Sequence, residues 1–268
     1  MSAKSAVLRE SSALADVDDI LAELDFDLEE TKKNEKPPAQ AAKSGPAASA
    51  VSSNAATTRA KDPVLQPLMS ALQRVRQGVS TLDVAHWSIR LNEAGCTALN
   101  ECLVDRDINL TTILLNSSDI GAKAFTSLSK ALTSNATVTK LDLSENQLND
   151  PGATAMAQVL KENVTLRCLD LENNGISNNG GSALAEAIAV NSTLQSLHLS
   201  DNTLGDTSAS ALGNALVRNQ TLTTLWLDGN PIGFKGAQVL SLSLTRNETM
   251  QTLHLGTPKI GSSIQPIR

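Results

Sequence analysis

Asparagine stands at positions 135, 163, 191, 219 and 247, each 28 residues beyond the last, and each opens an Asn-x-Thr triplet. Read singly, the triplet is a glycosylation acceptor. Read together, the constant step argues for another origin, because nothing in glycosylation enforces a spacing. Leucines keep the same step at 141, 169, 197, 225 and 253, and again at 143, 171, 199, 227 and 255. A second asparagine column runs through Asn146, Asn174, Asn202 and Asn230, with Leu148, Ile176, Leu204 and Ile232 two residues further on. A period of this length is the mark of an array of like units, each burying its apolar face on its neighbours.

One unit can be read physically. In Leu141-Asp-Leu143-Ser the alternation of apolar and polar residues predicts a short strand, with Leu141 and Leu143 inward and Asp142 and Ser144 outward. Asn146 follows where the chain turns, and a buried amide there satisfies backbone groups that the turn leaves unpaired. After Leu148 and a small residue (Gly152, Gly180, Gly236) a helix is expected, with Met156 and Leu160, or Leu184 and Ile188, on one face. Alanines such as Ala153, Ala155 and Ala157 allow close packing. The helix is expected to end at Asn163 in the left-handed conformation that asparagine tolerates.

Written out, Leu166-x-x-Leu169-x-Leu171-x-x-Asn174-x-Ile176 resembles the leucine-rich repeat, in the long form of the ribonuclease-inhibitor subfamily. The resemblance covers residues 81–268. Five well-matched units begin near 112, 140, 168, 196 and 224, with a divergent unit near 81 and a truncated one near 252. The repeat domains of Ran GTPase-activating proteins and of NOD-like receptors are similar. The resemblance implies an α/β fold: a curved solenoid with a parallel sheet on its concave face and helices on its convex face.

Residues 1–30 carry two basic and nine acidic side chains, residues 31–62 six basic and two acidic, within a chain of net charge −6. The second segment is rich in Lys, Pro, Ala and Ser, lacks the apolar residues a core requires, and is expected to be a disordered linker. The first holds Leu14, Val17, Leu21, Leu24 and Leu28 at helical spacing. Val17-Asp-Asp-Ile20-Leu21-Ala-Glu-Leu24 resembles the leucine–aspartate motif of paxillin-type adaptors, so the helix over Leu14–Leu28 is a candidate for a second protein partner. Residues 63–80 place Val64, Leu65, Leu68, Met69, Leu72 and Val75 at helical spacing, as expected of a cap over the first unit.

Little in the sequence suggests chemistry. No phosphate-cradling glycine loop, nucleophile elbow or HExxH occurs. Asp142 and Asp170 occupy equivalent places in neighbouring units, which offers two like carboxylates where acid–base catalysis needs two unlike ones. Cys96, Cys102 and Cys168 lack the spacing of a zinc site or a disulfide framework, so no metal or cofactor is expected and the thiols suit the reducing cytoplasm or nucleus. No apolar run reaches membrane-spanning length. The expectation is a non-enzymatic protein-binding scaffold. Its alternative is a GTPase activator of the Ran-directed kind, with Arg90 in a strand-to-helix loop.

A partner would meet the outward residues of the strands. The column through Asp142 runs Asp83, Leu114, Asp142, Asp170, His198, Trp226, His254. The next runs Ala85, Asn116, Ser144, Glu172, Ser200, Asp228, Gly256, and a third His86, Ser117, Glu145, Asn173, Asp201, Gly229, Thr257. All three histidines and Trp226 fall in these columns, while Trp87 takes an asparagine-column place. The candidate contact residues are Asp142, Asp170, Glu172, His198, Asp201, Trp226, Asp228 and His254. Tryptophan on a wet strand face is the strongest signal, because that side chain is enriched at binding hot spots. The excess of carboxylates favours a basic protein surface and disfavours nucleic acid.

Overall fold

The computed structural model describes residues 66–84, 91–105 and 107–256. The acidic segment, the linker, Val64, Leu65, Ala85, His86, Trp87, Arg90 and Thr257 lie outside the described residues. A first helix, α1 (Gln66–Arg76), precedes six strand–helix pairs and a final strand. The pairs are β1 (Thr81–Asp83) with α2 (Glu93–Val104), β2 (Thr112–Leu114) with α3 (Ala122–Ser134), and β3 (Lys140–Asp142) with α4 (Asn149–Glu162). They continue with β4 (Cys168–Asp170) and α5 (Asn178–Val190), β5 (Ser196–His198) and α6 (Asp206–Arg218), and β6 (Thr224–Trp226) and α7 (Phe234–Leu244); β7 (Thr252–His254) closes the series.

The strands form one parallel sheet in chain order. From β2 onward each residue pairs with the one 28 positions later, whereas β1 and β2 are 31 apart, so the divergent first unit is three residues longer. Parallel strands stack roughly 4.8 Å apart, and packed helices need about 8–10 Å. Units that carry one strand and one helix each therefore curve, with the sheet on the inner side of the solenoid.

The strand leucines do what the alternation predicts. Leu141, Leu169, Leu197 and Leu225 are at most 1 % exposed and join the helix residues Met156, Leu160, Leu184 and Ile188 in one continuous core. Burying a leucine is worth roughly 1.5–3 kcal/mol, so repeated columns dominate the stability of the array. At the front end α1 buries Leu68, Ala71, Leu72 and Val75 and packs on α2 and β1. At the far end Leu253 and Leu255 are only half-buried, because no strand beyond β7 covers them among the described residues.

Three polar ladders tie the units together. In the first, Asn202 Nδ2 donates to the carbonyls of Leu171, Leu199 and Ser200, and Oδ1 accepts from the amides of Asn174 and Ile176. Asn146, Asn174 and Asn230 make equivalent bridges. These are the groups a turn would otherwise leave unpaired.

The second ladder revises the reading of the Asn-x-Thr asparagines. Asn163 is extended, with φ −73° and ψ 129°, and not left-handed. Its role is carried by the side chain: Nδ2 donates to the carbonyls of Leu132 and Asn135 one unit earlier, and Oδ1 accepts from the amides of Thr165 and Leu166. Asn135, Asn191, Asn219 and Asn247 repeat the bridge. The amide nitrogen that a glycan would occupy is thus committed to carbonyls. The chain purified from its native cells should have the intact mass of a protein without glycans at these five positions; a hexose-bearing species would overturn this.

The third ladder also keeps the step of 28, through Asp150, Asn178 and Asp206, a column that the sequence reading passes over. Asp150 accepts from the amides of Ser177 and Gly180, Asn178 from those of Gly205 and Ser208, and Asp206 from those of Gly233 and Gly236. Each of these helix starts is therefore capped by the preceding unit, which satisfies donors that a helix N-terminus cannot satisfy internally.

All three cysteines are free thiols; Cys96 and Cys102 are buried and Cys168 is half-buried. Burial first, and then the neighbouring Glu93 carboxylate, push the Cys96 thiol from 9.0 up to about 12. The folded chain thus holds this proton more tightly than the unfolded chain. The Cys96 contribution to stability is intact below pH 9 and is lost as pH rises towards 12. Brief iodoacetamide treatment of the folded protein at neutral pH should label Cys168 and spare Cys96 and Cys102, with all three labelled in denaturant. Peptide mass mapping reads the result, and early labelling of Cys96 would show that its unit opens.

Candidate binding face

The outward column is the observed pairing register. Asp83, Leu114, Asp142, Asp170, His198, Trp226 and His254 pair in succession across the sheet. The third column departs from the reading. Ser117, Glu145, Asn173, Asp201 and Gly229 all have φ between 49° and 74°, which places them in a left-handed turn beyond the strand end. Asparagine, aspartate and glycine favour that region, and their recurrence is the signal the sequence offers for it. At Gly229 a Cβ would also fall on the Asp201 carboxylate. In the second column Ser200 is buried rather than outward, while Glu172 and Asp228 are half-buried.

Trp226 does not stand free in solvent. It lies between two imidazoles: the His254 ring is 3.5 Å away and almost parallel at 4°, and the His198 ring is 5.0 Å away at 27°. Both faces of the indole are covered, so a partner's cation meets the ring edge and not its face. The cause is the register, which sets His198, Trp226 and His254 about 4.8 Å apart on successive strands, close to an aromatic stacking distance. Trp226 Nε1 is buried with no hydrogen-bond partner among the described residues. A buried N–H left unpaired costs about 1–3 kcal/mol.

The stack continues into carboxylates. His198 Nδ1 lies 3.7 Å from Asp170 Oδ2, with the two side chains 32 % and 26 % exposed. Asp170 Oδ1 is held by the Glu172 amide at 3.0 Å. Desolvation, opposed by that amide and reinforced by Asp142, raises the Asp170 carboxyl above its ordinary range. Glu172 is raised by desolvation and then by Asp170 and Asp201. Asp142 is engaged locally, its Oδ1 accepting from the amide and hydroxyl of Ser144. Asp170, Glu172, His198, Trp226 and His254 are thus brought into one line, with Asp142 beside it. Asp201 stands in the turn at its border, and Asp228 lies two residues beyond Trp226.

The architecture defines a class: a parallel strand–helix solenoid of repeated units. The family profile described as the TMOD/LMOD leucine-rich domain matches residues 92–203, and leucine-rich repeat profiles match residues 193–215 and 218–241. The chain is a leucine-rich repeat protein. Among solved structures it is similar to the actin-binding site 2 of leiomodin-1, at 26% identity over 55% of this chain and 86% of that one, with a TM-score of 0.47. It is also similar to the tropomodulin C-terminal domain of Caenorhabditis elegans, at 15% identity over 62% and 84% and a TM-score of 0.41. An internalin from Listeria monocytogenes follows at 18% identity over 54% of each chain, with a TM-score of 0.26. No curated protein sequence matches it. Among the described residues no helix is long and apolar enough to cross a membrane.

Proposed function

We propose that this chain is a non-catalytic, protein-binding scaffold of the cytoplasm that receives a partner on the sheet face around Trp226. The observation that carries the reading is the His198–Trp226–His254 stack, which places three rings side by side on a face rich in carboxylates. A broad ring edge bordered by Asp142, Asp170, Glu172 and Asp228 suits a partner that offers an apolar side chain beside Lys or Arg. The GTPase-activator alternative would depend on Arg90, which lies outside the described residues.

The match to the tropomodulin and leiomodin repeat domain makes actin, the protein after which the leiomodin-1 site is named, the first to assay. Binding to purified actin and capture from cell extract should be compared for wild type and the Asp142→Lys/Asp228→Lys double variant, at low and high salt. The expected result is a partner whose association falls as salt rises and that the double variant loses, because long-range attraction of opposite charge is screened. A double variant that retains the same partners at the same affinity sinks the reading.

A further inference from the structure

We propose that Asp170, Glu172 and His198 form a binding site for a divalent transition cation of the zinc class. One ligand atom from each, two carboxylate oxygens and an imidazole nitrogen, lie within 4.8 Å of one another. Ligands held at roughly 2.0–2.2 Å from one tetrahedral zinc ion are about 3.3–3.6 Å apart. His198 Nδ1 and Asp170 Oδ2, at 3.7 Å, already stand near that separation, and rotation of the Glu172 side chain closes the rest.

The backbone prepares this triangle. Asp170 and His198 are register partners on β4 and β5, and Glu172 stands two residues past Asp170. The Glu172 amide holds Asp170 Oδ1, which leaves Oδ2 turned towards His198 Nδ1. At 3.7 Å these two atoms are too far apart to be hydrogen-bonded to each other. The Trp226 ring, stacked at 5.0 Å, fixes the plane of the imidazole. One unit earlier the same triangle is Asp142, Ser144 and Asp170; one unit later it is His198, Ser200 and Trp226. Among the described residues the array offers this ligand set once.

Electrostatics favours a cation here. Asp142 is the strand neighbour of Asp170, so like charge gathers beside the triangle. The imidazole selects zinc, nickel or copper over magnesium or calcium, which prefer oxygen alone. This site departs from the sequence expectation that no metal is bound; it shares Asp170, Glu172 and His198 with the proposed partner face, but its titration needs no partner.

The test is calorimetric titration of the full chain with zinc chloride in chelator-free buffer. Wild type should take up one equivalent, His198→Ala and Glu172→Gln should each weaken uptake by about tenfold or more, and Cys168→Ser should leave it unchanged. Glu172→Gln keeps the shape of the side chain, so it reports on the ligand even if His198→Ala unfolds. Nickel chloride should quench part of the tryptophan emission, because Trp226 stacks on the metal-bearing imidazole. Trp226→Phe should lose that quench while retaining zinc uptake. No zinc uptake by wild type, undiminished uptake in Glu172→Gln, loss of uptake in Cys168→Ser, or an unquenched wild type would each overturn the site.

Discussion

Asn202→Leu should destabilise the protein by about 3–5 kcal/mol, a large effect for one residue of leucine-like volume. The Asn202 amide serves five backbone groups: the carbonyls of Leu171, Leu199 and Ser200 and the N–H groups of Asn174 and Ile176. Asn202 itself is 5 % exposed, so water does not reach these groups once the amide is gone. Stranding a buried backbone group costs about 1–3 kcal/mol, and the gain from burying leucine offsets only part of five such losses. The damage should be local at first, because each unit of a solenoid is stabilised by its immediate neighbours. Urea unfolding gives the total, and hydrogen exchange should show protection lost first around β4, β5 and the turns beside them. A loss below about 1 kcal/mol would mean that water replaces the amide and that the ladder is dispensable.

Trp226→Ala should weaken partner binding by about 2 kcal/mol, close to thirtyfold, if the stack is the centre of the contact. It should also lower the melting temperature. The ring is half-buried and stacked on both faces, so truncation removes two ring contacts worth about 0.5–1.5 kcal/mol each beyond the area they bury. Part of that loss is returned, because the unpaired Nε1 disappears with the ring. Trp226→Phe separates the contributions: it keeps a ring between His198 and His254 and removes the N–H. Titration of a captured partner against the three proteins, with melting followed in parallel, decides the matter. Unchanged affinity in Trp226→Ala together with a lower melting temperature would make the stack an internal strut of the sheet and not a contact site.

Much of this molecule can be read from spacing. A step of 28 residues applied to Leu141, Leu143 and Asn146 is enough to predict like units in register, since any slip would move leucines out of the core and strand the turn asparagines. The outward column from Asp83 to His254 follows from the same step, and it is the pairing seen between strands. Other features depend on torsion angles and on contacts between units, which periodicity does not encode. The pattern places Asn163 at a helix end, where it stands, but its extended backbone and its bridge to Leu132 and Asn135 require the neighbouring unit. The column through Asp201 follows directly on the column through Ser200, which breaks the strand alternation, and it turns left-handed because the strand ends at His198. Asp150, Asn178 and Asp206 keep the step of 28, but that each caps a helix in the next unit is visible only in the contact between units. At the face itself the sequence determined which side chains are neighbours, through the period. Only the tertiary structure decided that the Trp226 ring lies flat between His198 and His254, and that Asp170, Glu172 and His198 converge. Register fixes where Cβ atoms stand, whereas side-chain rotation chosen by packing decides where the functional atoms end.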